Sequence, residues 1–198
     1  NFQWAKTYQF PGYKHFMFND AKVHNGSLLV GGHFSDGNSP EPSDPYIAKL
    51  DLNGNLSQQY TYVIDSSMFL FEPYKLTAID FYDDNALFGR FRASSGVDCI
   101  MRLDEQFNMV WTKNIIGTLG LICASYEGGV YFTTEGQLYG DVYKMDPTGA
   151  ITHHYAHNLS SSEYGQATVM KRHDCGYMIA TSVGWPSDLY AHSLSDGG

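Results

Sequence analysis

The chain has 198 residues, 43% of them apolar and 17% charged, which suits one globular unit with a buried core and excludes a disordered tail. A formal charge of −9 with only 12 Lys plus Arg, nowhere clustered, excludes nucleic acid or any other partner held through phosphates. Apolar runs such as 67–71 and 119–124 are far too short to cross a bilayer, and no stretch has the charged-then-apolar layout of a signal peptide.

In chain order, the first expected strand covers residues 1–10 and includes Trp4-Ala5-Lys6-Thr7-Tyr8. A strand at 16–18 precedes the small-residue turn and β-rich run Gly26-Ser27-Leu28-Leu29-Val30-Gly31. The anchor Lys49-Leu50-Asp51-Leu52-Asn53-Gly54 follows, in which a cation, an apolar residue and an Asp enter a tight turn. Strands at 77–81 and 85–89 lead to a second anchor, Arg102-Leu103-Asp104, and to Trp111-Thr112-Lys113. The same succession recurs at 119–125, 129–133 and Lys144-Met145-Asp146-Pro147-Thr148-Gly149. The last copy runs through 167–171, 176–180 and a degenerate anchor, His192-Ser193-Leu194-Ser195-Asp196-Gly197. A start at Asn1 instead of Met and a closing Ser195-Asp196-Gly197-Gly198 turn suit a processed or partial chain.

The third anchor positions fall at 51, 104, 146 and 194, spaced by 53, 42 and 48 residues, and the glycine turns keep phase with them. Seven residues after the anchor stand Gln58, Trp111 and His153, with Trp4 at the matching place in the opening segment. Each copy therefore reads as four short strands, a to d, with almost no helical periodicity. One such sheet cannot cover both of its faces, whereas radial stacking buries them, so the expected fold is an all-β propeller of about four blades in one domain, 1–198. The opening strand would complete the last blade, and the aromatic at the start of strand d would act as a spacer between blades. The rival account is a segment of a larger propeller.

The glycine-tyrosine strand Gly176-Tyr177-Met178-Ile179-Ala180-Thr181, the Lys-Leu-Asp turn, and the strands Trp4-Ala5-Lys6-Thr7-Tyr8 and Trp111-Thr112-Lys113 resemble the delta-60-type propeller repeats of secreted microbial proteins. The resemblance covers nearly the whole chain. It implies a propeller in an extracellular setting and carries no catalytic residues.

Chemistry-bearing patterns are sparse. The turns at 51–54 and 146–149 lack the spacing of an Asp-box, and no phosphate loop, Gly-x-Ser-x-Gly elbow or His-Glu-x-x-His helix occurs. His153, His154 and His157 form the densest histidine cluster, but strand spacing puts residues two and four apart at about 7 and 14 Å, too far for one zinc ion unless other elements supply ligands. Cys99, Cys123 and Cys175 have no Cys-x-x-Cys spacing and fit buried strand positions, with Cys123–Cys175 as the favoured pair in an oxidising compartment. No cofactor is implied; calcium on Asp36, Asp44 and Asp65 has no loop pattern behind it.

Two insertions in the first repeat, 35–45 and 65–74, emerge on one face of the expected disc. They make Asp36, Asp44, Asp65, Met68, Phe69, Phe71 and Tyr74 the candidate binding residues, with Met68 to Phe71 either a contact surface or a plug for the ring. Sequons at Asn25, Asn55 and Asn158 fall in expected turns or at strand starts. The expectation is a secreted, non-enzymatic glycoprotein module that binds proteins, glycans or copies of itself. The competing expectation is a carbohydrate-active enzyme using Asp80 or Asp65 over a central channel.

Overall fold

The computed structural model describes residues 4–9, 15–35, 44–62, 74–82, 86–93, 98–115, 117–125, 127–137, 141–155, 164–173, 176–183 and 188–195. Among them there is no helix, and so none long and apolar enough to cross a membrane. Among the described residues fifteen strands form antiparallel sheets. The first is β1 (His15–His24), β2 (Ser27–Ser35), β3 (Asp44–Asp51) and β4 (Leu56–Thr61), in that order. The second is β5 (Tyr74–Tyr82), β6 (Ala86–Ala93), β7 (Asp98–Leu103) and β8 (Met109–Ile115). The remaining seven are β9 (Thr118–Ala124), β10 (Val130–Gln137), β11 (Val142–Met145), β12 (Ile151–Tyr155), β13 (Tyr164–His173), β14 (Gly176–Val183) and β15 (Asp188–Ser195). They run β12-β11-β10-β13-β14-β15, with β9 pairing with β10. The chain divides into two compact units, residues 1–79 with 89–96 and residues 80–88 with 97–198.

Each expected a-b-c-d copy maps onto consecutive strands. The register equates the spacer positions as expected: Lys49 pairs with Gln58, Arg102 with Trp111 and Lys144 with His153. The fourth anchor shifts by one residue. Two-residue turns place Ser27 opposite Asp51 and Gly176 opposite Ser195, so Ser195, and not Leu194, stands where the other copies carry Asp. Residues 4–9, expected as a strand beside the closing one, have no strand pairing. Their side chains are instead bonded to the turn of the first sheet: Trp4 Nε1 donates to the Leu52 carbonyl at 2.8 Å and Tyr8 Oη to the Gly54 carbonyl at 2.6 Å.

Burial is graded across the sheets. β7 is buried along almost its whole length, which explains the unbroken apolar run Cys99-Ile100-Met101, whereas β4 and β12 are mostly exposed. The first unit packs Val30, Phe34, Tyr46, Ala48 and Leu50 against Tyr8, Phe16 and Leu28. In the second unit Ile100, Ile115, Leu119, Val130, Phe132 and Met145 form the core, with Trp111 and Tyr143 against it.

The turns between strands c and d share one construction. Asp51 Oδ1 accepts the N–H groups of Asn53 and Asn55 at 2.9 and 2.7 Å; Asp104 does so from Gln106 and Asn108 at 2.9 and 2.8 Å, and Asp146 from Thr148 and Ala150 at 2.8 and 3.0 Å. The fourth turn position needs a left-handed backbone: Gly54 and Gly149 supply it at φ 76° and 84°, and Phe107 is held there at 65°. All three carboxyls lie below the ordinary value of 3.8: hydrogen bonds from Asn55 dominate for Asp51, the side chain of Asn108 for Asp104 and that of Thr148 for Asp146. A carboxyl whose folded pKa lies below its unfolded one adds stability above the unfolded value and loses it as pH falls through the folded one. The melting temperature is therefore expected to hold from neutral pH down to the ordinary carboxylate range and to fall below it. Replacing all three by Asn, which keeps an acceptor but no titrating group, should flatten that acid limb in a thermal-melt series; an unchanged limb would refute the assignment.

The turns also join neighbouring copies in the same way. Trp111 Nε1 donates to the Pro147 carbonyl at 2.9 Å, at the turn position equivalent to Leu52, the acceptor for Trp4. Gly149 lies beneath Trp111 and Lys113 as Gly54 lies beneath Trp4, and Lys6 bonds to Asn55 beside it.

Candidate binding site

Strands β10, β11 and β12 bring three rings into one cross-strand row, because Phe132 pairs with Tyr143 and Tyr143 with His154. The Phe132 and Tyr143 rings stack at 5.1 Å and 11° between planes, and Tyr143 and His154 at 4.4 Å and 1°. Two residues before Tyr143 stands Asp141, 3% exposed, whose Oδ2 lies 2.8 Å from His154 Nε2 and accepts the Tyr143 hydroxyl at 3.3 Å. A carboxylate only accepts, so the imidazole carries its proton on Nε2 and turns Nδ1 away from the carboxylate. Tyr143 is thus held between two flat rings and tied at its hydroxyl.

Beside this row is a cavity of about 250 Å³ lined by Asn114, Ile115, Phe132, Thr134, Tyr143 and Ile151. Ile115, Phe132 and Thr134 are buried, while Asn114 and Ile151 are exposed, so the cavity has a closed and an open end. None of the six side chains carries a charge. The arrangement offers an amide, two hydroxyls and apolar walls, which can hold a small uncharged ligand with both apolar and polar surface.

The residues singled out in the sequence fare differently. Asp36, Asp65, Met68, Phe69, Phe71, Asn158, His157 and Cys175 lie outside the described residues. Asp44 and Tyr74, assigned to the loop face, open strands β3 and β5. Asn25 is exposed in a two-residue turn with φ 45°; the Asn55 amide donates to Asp51 Oδ2 at 2.7 Å, as Asn108, which is in no sequon, does to Asp104 at 3.0 Å. Asn55 is thereby a turn residue first. Asp80, the carboxylate considered for glycoside chemistry, accepts the Ala124 N–H at 2.8 Å and ties two strands. No group of three or more metal-type side chains gathers among the described residues. His153 is exposed, with its ring stacked on Tyr155. His154 is the histidine that meets Asp141 and stacks on Tyr143, and its strand pairing with Tyr143 was the available signal for it.

Cys99 is a free thiol with no exposure, and burial, aided by the neighbouring Asp98 charge, pushes its pKa up to about 12. It should therefore resist alkylation in the native protein and react only on denaturation, as peptide mapping after iodoacetamide would read; rapid native labelling at Cys99 would contradict its burial.

No family model matches the chain, and no curated protein matches it. Among solved structures it is similar to a protein of unknown function from Bacteroides caccae, with a TM-score of 0.56 and 10% sequence identity. The match covers 96% of this chain and 62% of that one, so the chain spans about three-fifths of the neighbour's length. At this identity the likeness concerns the fold alone.

Proposed function

We propose that the chain is a β-propeller of four-stranded blades, related to the delta-60-type repeats, that works outside the cell as a non-enzymatic binding module. In this reading the four-stranded repeats are the blades, about four of them in the chain. What supports the propeller is the recurrence, at equivalent atoms, of the indole-to-turn bonds from Trp4 and Trp111. The observation that carries the binding role is the cavity beside Tyr143, whose described lining residues are uncharged. Its partners are glycans, proteins or copies of itself, and Asn25, Asn55 and Asn158 are the glycan acceptors, of which Asn25 and Asn55 are exposed.

The propeller is checked by an experimental structure of the chain: sheets fanned around a common axis are expected, and a flat two-layer sandwich would overturn the reading. The binding role is checked by incubating the protein with oligosaccharides and aryl glycosides. Retention without product is expected, and released sugar would replace this reading with a hydrolase.

A further inference from the structure

We infer that the cavity beside Tyr143 receives one uncharged pyranose ring, the terminal sugar of a glycan, with Tyr143 as a contact residue and Asp141 and His154 as positioning residues. This rests on the binding-module reading and adds the ligand class to it. Among the described residues that line it none is charged, so an ionised ligand would find no partner on these six, and they select a neutral one. Within the neutral class, the wall chemistry decides. Ile115, Ile151 and Phe132 suit C–H faces, while the Asn114 amide and the Thr134 and Tyr143 hydroxyls suit a rim of alcohols, and a pyranose carries both on one ring.

Size and orientation restrict the ligand further. A volume of about 250 Å³ lies just below the range of about 300–1,000 Å³ usual for drug-sized ligands, which leaves room for one ring and not for an extended oligosaccharide. The closed end at Phe132 and Thr134 takes the terminal sugar, and the open end at Asn114 and Ile151 lets the rest of the glycan leave toward solvent. Tyr143 is immobilised before any ligand arrives: Phe132 and His154 hold its two faces and Asp141 holds its hydroxyl. A wall fixed in this way loses little freedom on binding.

The test is titration of the full chain with methyl glycosides of glucose, galactose, mannose and N-acetylglucosamine, followed by NMR. At least one should bind saturably in the millimolar range, with shifts confined to residues around the cavity. Asn114→Ala, an exposed change that leaves the core intact, should weaken that binding severalfold, and Tyr143→Ala should weaken it at least tenfold. His154→Ala should weaken it too, with a change in the Tyr143 ring resonances, and His154→Phe, which restores a flat ring against Tyr143, should recover most of it. Absence of saturable binding by the parent protein to all four glycosides, or equal binding by the parent and Asn114→Ala, overturns the assignment. Longer glycans or proteins captured equally by the parent and the cavity variants would also overturn it while leaving the binding-module reading standing.

Discussion

Replacing Gly32 by alanine is expected to disrupt the first sheet. A Cβ at this position would stand 1.9 Å from the Met17 carbonyl oxygen, 2.9 Å from its carbon and 3.1 Å from the Phe18 Cα. These are main-chain atoms of the paired strand, so no rotamer change relieves the clash, and β1 and β2 must part where their register already shifts between Phe18 and Asp20. The loss should be about 3 kcal/mol or more, a large fraction of the stability of a domain this size. Gly129→Ala meets the Met145 carbonyl oxygen at 2.2 Å and should act similarly. Urea unfolding against Val23→Ala, an exposed substitution expected to change stability by about 0.5 kcal/mol or less, provides the comparison. A Gly32→Ala midpoint indistinguishable from that of Val23→Ala would mean that the strands are not apposed as described.

Asp98→Ala should be nearly as damaging, for an electrostatic reason. Asp98 has no exposure, and its Oδ2 accepts the Leu119 N–H at 2.6 Å, tying the start of β7 to β9. Removal leaves that N–H without its acceptor in a buried site and opens a small void, together costing about 3 kcal/mol. Asp98→Asn keeps an acceptor oxygen of the same shape and should lose less than the alanine variant. Amide hydrogen exchange at Leu119 separates the explanations: protection should fall in the alanine variant and be partly retained in the asparagine one. Equal protection at Leu119 in all three proteins would show that the bond is not what holds these strands.

The repeat was legible because its signals are local. A cation, an apolar residue and an Asp before a tight turn specify a hairpin by hydrogen bonds within five residues, and the strands came out in the expected succession around each copy. The last anchor was misplaced by one because that copy carries Ser195 where the others carry Asp, leaving only the register to decide. The opening segment reads as a strand by its phase in the repeat, yet residues 4–9 have no strand pairing. What Trp4 and Tyr8 bind instead is the turn at 52–54. The candidate site was the least visible part. Asp141 and His154 are thirteen residues apart, and nothing in their spacing marks them. They meet because β11 and β12 pair, and only Asp141 is buried. The histidine cluster drew attention to His153 and His157 on one strand face, whereas His154, which meets Asp141, lies on the other.

The bonds that Trp4 and Trp111 make end on main-chain oxygens, one belonging to a leucine and the other to a proline. A carbonyl is supplied by any amino acid, so the acceptor position is free to drift while the donor and the turn shape stay constant. An architecture joined through such anonymous atoms places little demand on sequence, so a similar fold can extend over 96% of the chain at 10% identity.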